Sequence, residues 1–336
     1  MTILVNRPGL LTTIQDLGRY GLQQFGVIVS GAMDPLALRI SNLLVGNEPH
    51  AAALEITLSG PALLFEREAL IAITGADLSA VIDGQAVPLW RPIFVRQGSL
   101  LEFGSPIRGC RGYVSVAGGF DVPLVMHSRS TYLRARLGGF EGRPLQTGDV
   151  LNLRSASRFA TQQTKIMSER DSEHSFVATD WFAGLDLAGY SDNPTIRVMS
   201  GGQNDWFEDE SREAFVSEPF RVTQQSDRMG YRLAGPTLRF IQPRELVSEA
   251  VTVGTVQVPP EGQPIILMAD RPTTGGYAKI AQIATVDIPV LAQVKPGAQI
   301  RFLTISVEEA QELYRSREAM IRRLGCGIAQ MNIEKQ

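Results

Sequence analysis

Thr255-Val256-Gln257-Val258-Pro259-Pro260-Glu261-Gly262-Gln263-Pro264-Ile265-Ile266-Leu267-Met268-Ala269 decides the fold of this chain. Two short apolar runs, rich in β-branched residues, flank a segment that proline and glycine break. Runs this short are strand length, and the break between them is a turn. The same texture recurs from end to end. Strands are predicted at 2–5, 53–58, 62–65, 70–74, 79–82, 93–95, 100–103 and 113–116. Further strands are predicted at 150–153, 195–199, 220–223, 237–240, 255–258, 265–268 and 299–303. Asp83-Gly84, Gln97-Gly98, Glu261-Gly262 and Pro296-Gly297 supply turns between them. Many short strands with such punctuation specify a mainly β protein of barrels or sandwiches.

Helices are few. Asp34 followed by Pro35 opens one over 35–45, with Leu36, Ile40, Leu43 and Leu44 on one stripe and Gly46 as its stop. Ser306 and Glu309 form a capping box ahead of a second, over 307–324. A third is expected over 205–215, and 278–284 reads equally well as helix or strand. The polar stretch 155–174 reads as a linker between domains. A faint duplication agrees with that division. Ser59-Gly60-Pro61-Ala62-Leu63-Leu64-Phe65 matches Ala234-Gly235-Pro236-Thr237-Leu238-Arg239-Phe240, and residues 95–103 match 294–302. The expectation is a first β domain over 1–155, a linker over 156–192 and a second β domain over 193–325 that ends in a helix.

The strand at 265–268 runs into Asp270-Arg271-Pro272-Thr273-Thr274-Gly275-Gly276-Tyr277-Ala278-Lys279. Few structural turns require a carboxylate, a guanidinium, two hydroxyls, adjacent glycines, a phenol and an amine together. Glycines let backbone amides approach a ligand closely, and Arg271 and Lys279 are suited to an anion. The loop is therefore the expected floor of a site for a small anionic substrate. Gln257, in an apolar strand, needs a hydrogen-bond partner if it points inward. Asp16 and Arg19 flank Gly18, and Asp227 and Arg228 precede Gly230. Each pair can bind a polar ligand or simply close a loop, since exposed ion pairs contribute only about 0–1 kcal/mol. Asp34 is explained by its cap alone.

Composition narrows the choices. The chain has 336 residues, enough for two cores, with 44% hydrophobic and 20% charged residues and a net charge of −3. That balance gives no electrostatic case for nucleic acid or an anionic membrane. No apolar run nears the roughly 20 residues of a membrane span, and the first residues lack the basic start of a signal peptide, so a cytoplasmic location is expected. Cys110 and Cys326 are too few for a disulfide framework or a cysteine metal site and read as small buried hydrophobes. The three histidines, His50, His127 and His174, have no metal spacing. A phosphate loop, a nucleophile elbow and a biotin-attachment Met-Lys-Met are all missing from the sequence.

Taken in order, Gln15-Asp16-x-Gly18-Arg19, Ser30-Gly31-Ala32-Met33-Asp34, the 226–232 block, Gly254-x-x-Gln257-Val258-Pro259 and the 270–277 block resemble the biotin-dependent carboxyltransferase / allophanate hydrolase subunit 2 family, whose stand-alone members are KipA-type 5-oxoprolinase C subunits. The resemblance spans residues 3 to about 315. It implies two cyclophilin-like β-barrel domains with a few peripheral helices. It also implies two partners, a KipI-type B subunit together with a LamB/YcsF-type A subunit, and ATP, with magnesium, at a shared site. The implied reaction is ATP-dependent opening of 5-oxo-L-proline to L-glutamate. Asp270, Arg271, Asp227 and Arg228 are then the expected catalytic set. Asp16, Arg19, Gln257, Thr273, Thr274, Gly275, Gly276, Tyr277 and Lys279 are the expected substrate contacts. No metal ligands are expected in the chain itself. The alternatives are a regulatory antagonist that sequesters a KipI-type kinase inhibitor, and a urea carboxylase-like carboxyltransferase that takes biotin in trans.

Overall fold

A computed structural model describes residues 2–184, 189–242 and 244–330. The chain divides into two units, and the division is not sequential. Residues 1–18, 34–189 and 319–336 form the first, and 19–33 with 190–318 form the second.

The first unit is built from two antiparallel six-stranded sheets. One runs in the order Val150–Asn152, Thr2–Arg7, Ala62–Phe65, Leu100–Glu102, Val81–Ile82, Gln85–Ala86. The other runs Phe176–Ala178, Pro92–Val95, Ala69–Asp77, Arg108–Val116, Ala53–Thr57, Leu11–Gln15. Ala69–Asp77 is buried along nearly its whole length, as expected of a strand covered on both faces. Helix α1 (Pro35–Leu44) packs on it and on Arg108–Val116. The Asp34 carboxylate accepts from the Ala37 amide at 2.9 Å, the expected cap. Thr74 Oγ1 ties the sheet to the helix by donating to the Ala37 carbonyl at 2.8 Å.

The expected linker over 156–192 is instead largely structure of this unit. It holds α2 (Arg158–Arg170), capped by Ser157, and the strand Phe176–Ala178, which pairs with Pro92–Val95. The helix buries only Ala160, Gln163 and Met167. A stripe that thin, at i, i+3, i+7, is enough to dock a helix yet leaves the sequence looking polar.

The second unit contains a closed seven-stranded barrel. Its order is Thr195–Ser200, Ala278–Ile283, Thr255–Val258, Ile265–Leu267, Gly230–Ala234, Phe220–Val222, Gln299–Thr304. The hairpin that opened the sequence argument is formed, with Val256 opposite Ile266 and Gln257 opposite Ile265. Only the closing pair, Thr195–Ser200 with Gln299–Thr304, is parallel. Ile196, Val256, Ile266, Ile280, Ile300 and Phe302 fill the interior, and Met33 joins this core from the early segment. The ambiguous 278–284 stretch is thus a strand. Residues 237–240 are not one: Phe240 makes a single bridge to Phe207. Around the barrel lie α3 (Asp209–Ser217) and the short α4 (Ile288–Ala292). Helix α5 (Val307–Gln330) starts at the capping box, where the Glu309 amide donates to Ser306 Oγ and Glu309 accepts from the Ser306 amide. Cys110 is buried as expected, whereas Cys326 on α5 is exposed. No helix among the described residues is long and apolar enough to cross a membrane.

Candidate functional site

In the second unit, the end of strand Ile265–Leu267 carries the backbone to Asp270, whose amide donates to the Arg228 carbonyl at 2.8 Å. The two side chains then meet. Arg228 Nε and Nη2 donate to Asp270 Oδ2 and Oδ1 at 2.9 and 3.0 Å, and each side chain is 7% exposed. Ser30 Oγ donates to Oδ1 at 2.8 Å, and Arg228 Nη2 donates to the Gly31 carbonyl at 2.6 Å. Ser30 and Gly31 both hold positive φ, 57° and 92°, which turns the chain into this contact. Two-pronged guanidinium–carboxylate pairs combine charge with fixed geometry. With three donors on its two oxygens, Asp270 orients Arg228 and is poorly placed to take a proton.

Arg271 differs. It is 8% exposed, and its Nε is buried with no hydrogen-bond partner among the described residues. Its Nη1 reaches only the Met268 carbonyl, at 3.4 Å. Burial pulls the Arg271 guanidinium below its ordinary value, while Tyr20 and Asp270 act in the opposite direction. A guanidinium still keeps its proton in a protein. The neighbouring carboxylate of Asp270 is already engaged by Arg228. A buried cation with an unsatisfied donor is costly, and an arriving carboxylate or phosphoryl oxygen would remove that cost.

The remaining expected residues divide by role. Asp227 is exposed, and its Oδ1 accepts from the amides of Met229 and Gly230 at 2.8 and 3.2 Å, so it shapes the turn. Arg19 is fully buried, with its amide on the Val29 carbonyl. Asp16 belongs to the first unit. There its carboxylate accepts from Ser128 Oγ, Ser130 Oγ and the amides of Gly18 and Arg129. Those contacts occupy it structurally. Lys279 Nζ is held 2.7 Å from Glu249 Oε1 and donates to the Ala250 carbonyl at 3.1 Å. It is thus committed to a local pair, and the hydrogen bond from Lys279 keeps the Glu249 carboxyl below the usual range. Gln257 finds its partner in the Tyr277 carbonyl, at 3.2 Å. Thr274–Gly275 forms a two-stranded ribbon with Glu249–Ala250, and Thr273 is half-buried beside it. A Cβ on Gly275 would lie 2.5 Å from Gln257 Nε2, so the Gln257 amide would have to shift from its bond to the Tyr277 carbonyl.

The loop is therefore not one floor. Arg271 and Asp270 belong to a buried charge cluster, while Gly276, Tyr277 and Ala278 line a cavity of about 630 Å3 with Trp206, Phe240 and Arg244. Ser30, Tyr20 and Trp206 were not singled out from the sequence. Ser30 stands in the sequence block at 30–34, but its acceptor lies 240 positions away, so nothing local pairs it with Asp270. Among the described residues no group of three or more His, Cys, Asp or Glu side chains is arranged to hold a metal ion.

Residues 25–304 match the model of the carboxyltransferase domain, subdomain A and B. The chain is 40% identical over 306 residues to the 5-oxoprolinase C subunit of Haemophilus influenzae, covering 91% of this chain and 92% of that one. It is 42% identical over 304 residues to the 5-oxoprolinase C subunit of Escherichia coli, covering 90% and 91%. The crystal structure of Kluyveromyces lactis urea amidolyase superposes with a TM-score of 0.84 at 31% identity, over 96% of this chain and 20% of that much longer one. The mainly β architecture, the barrel and the order of the sequence blocks agree with these matches, and the chain belongs to the carboxyltransferase-domain family, subdomains A and B.

Proposed function

We propose that this chain is the C subunit of a 5-oxoprolinase, acting in the cytoplasm with a KipI-type B subunit, a LamB/YcsF-type A subunit, and ATP to convert 5-oxo-L-proline to L-glutamate. The observation that carries the reading is Arg271, a buried guanidinium whose Nε has no acceptor among the described residues. The substrate is a compact anion, and its carboxylate can take Nε and one Nη of Arg271 side by side. The name shared by the two bacterial relatives supports the same assignment.

An unactivated lactam is a poor electrophile. Transfer of the terminal phosphoryl group of ATP to its oxygen releases ADP and activates the ring carbon. Water adds there, and the C–N bond breaks with the amine taking a proton. A second water displaces phosphate from the resulting acyl phosphate to leave L-glutamate. In this chain, Arg271 anchors and orients the anion. Arg228 is fixed by Asp270 and keeps a second positive charge in the same buried cluster. Fixed cations in a water-poor site stabilise developing negative charge more than mobile ones do. The second reading is carboxyl transfer from biotin carried in trans by another protein, which the likeness to urea amidolyase favours.

The test is glutamate release from 5-oxo-L-proline by the three purified proteins with ATP. Release that needs all three, and that falls at least a hundredfold with Arg271→Ala while the complex still assembles, supports the proposal. Full release without this chain, or wild-type turnover by the Arg271→Ala complex, refutes it. Carboxybiotin-dependent carboxylation of a small amide, with no glutamate release, would favour the second reading.

A further inference from the structure

The cavity beside Tyr277 is too large and too mixed in chemistry to be filled by a small lactam acid. Its volume of about 630 Å3 sits in the middle of the range for organic ligand sites, roughly 300–1,000 Å3. One wall is aromatic and apolar, made by Trp206, Phe240 and Tyr277 with Leu238 and Val258. The Arg244 guanidinium lies 5.0 Å from the Trp206 ring centroid, so it covers one face of the indole and leaves a flat ligand the rest of the aromatic wall. Tyr277 is 47% exposed and bordered by Gly276, which leaves its ring free to stack.

The charged groups on the same cavity are Arg239, Arg244, Glu208 and Glu245. Among the described residues none of the four is within ion-pair distance of an opposite charge. Arg244 already lies on Trp206, and the Gln242 amide, turned to satisfy both groups, accepts from its Nη2 and Nε at 2.8 and 3.3 Å. It is thus held in place on the cavity wall, while Arg239, Glu208 and Glu245 address other parts of one ligand. A ligand with a flat base, vicinal hydroxyls and an anionic tail matches all three elements. Aromatic faces stack bases, carboxylates accept from ribose hydroxyls, and guanidiniums bind phosphate oxygens.

We propose that this cavity is a nucleotide site, with the base against Trp206, Phe240 and Tyr277, the ribose hydroxyls on Glu208 or Glu245, and the phosphates on Arg239 and Arg244. The proposal deepens the ATP-dependent reading above and rests on it only for the choice of ATP as the natural occupant.

Titration calorimetry with magnesium ATP, on the full chain and on the three-protein complex, tests it. The expected result is saturable binding that weakens about tenfold in Arg239→Ala and in Tyr277→Ala, with adenosine binding more weakly than ATP. Arg239 and Tyr277 are exposed, so thermal melts of both variants should match the wild type. In the complex, Arg239→Ala should raise the KM for ATP and leave the KM for 5-oxo-L-proline unchanged. Absence of binding to both preparations overturns the proposal, as does binding that neither variant weakens. The two readings fail separately. ATP-driven glutamate release with an unaltered KM for ATP in Arg239→Ala sinks the cavity assignment alone. Variant-sensitive ATP binding in a complex that releases no glutamate sinks the oxoprolinase reading alone.

Discussion

At the scale of single residues, two arginines adjacent to one carboxylate have opposite fates. Arg228 takes both oxygens of Asp270, and Arg271 is left buried with an Nε that has no partner among the described residues. Arg228→Ala strands the Asp270 carboxylate at 7% exposure, and removing one member of a buried pair costs about 3–5 kcal/mol. Urea unfolding should therefore show a large loss for Arg228→Ala. The double variant Arg228→Met with Asp270→Leu should recover part of it, because neither member of the pair is then left as an unpaired charge, although Arg271 loses the nearby Asp270 carboxylate. Equal losses in the single and double variants would contradict this. Gly275 makes a subtler case. A methyl there would sit 2.5 Å from Gln257 Nε2, an exclusion that backbone strain does not explain. Gly275→Ala should cost about 1–3 kcal/mol, the usual range for overpacking. A smaller side chain at position 257, in Gly275→Ala with Gln257→Ala, should restore part of the loss in thermal melts.

At the scale of elements, the sequence was most legible where a local rule acts alone. Short apolar runs and turn residues located the hairpin of Thr255–Val258 and Ile265–Leu267. Asp34-Pro35 located α1, and Ser306 with Glu309 located the start of α5. The rules fell short where tertiary contacts decide. Helix α2 docks through Ala160, Gln163 and Met167 alone, too few to lift a polar stretch above a linker. The 237–240 run has strand composition, yet Phe240 bridges Phe207 and its neighbours go to the cavity wall. Of the two matched stretches, 95–103 and 294–302 both carry a strand, whereas Ala62–Phe65 is a strand and 237–240 is not. Close to the strand Val150–Asn152, burial pushes the Asp149 carboxyl up, but hydrogen bonds from Arg143 and the Gln146 amide outweigh it and hold it below the ordinary range. A carboxyl lowered on folding adds stability above its unfolded value, near pH 4, and loses it as the pH falls through the folded value. The stability advantage of the wild type over Asp149→Asn should thus be present at pH 7 and shrink as the pH drops below about 4. An advantage independent of pH would show that the pair with Arg143 is not its source.

At the scale of the whole molecule, the expected cut at 155–193 differs from the division of the fold, which counts residues 19–33 with the second unit and 156–189 with the first. The first transfer is what supplies Ser30 to Asp270 and Met33 to the barrel core, and no local pattern marks it. The Asp16-x-x-Arg19 motif is split by the same crossing, with Asp16 counted in one unit and Arg19 in the other. Within the expected site, Arg271 and Lys279 read alike from the sequence, as cations suited to an anion. Lys279 was not distinguishable from a ligand, because only the fold shows Glu249 beside it.

The central claim is that Arg271 recognises the carboxylate of a small lactam. The most direct measurement is the ratio of binding constants for 5-oxo-L-proline and its uncharged analogue 2-pyrrolidinone on the assembled complex, for wild type and Arg271→Ala. The account predicts that the wild type prefers the anion and that Arg271→Ala loses at least tenfold of that preference without weakening the uncharged lactam. An unchanged preference in Arg271→Ala would contradict it.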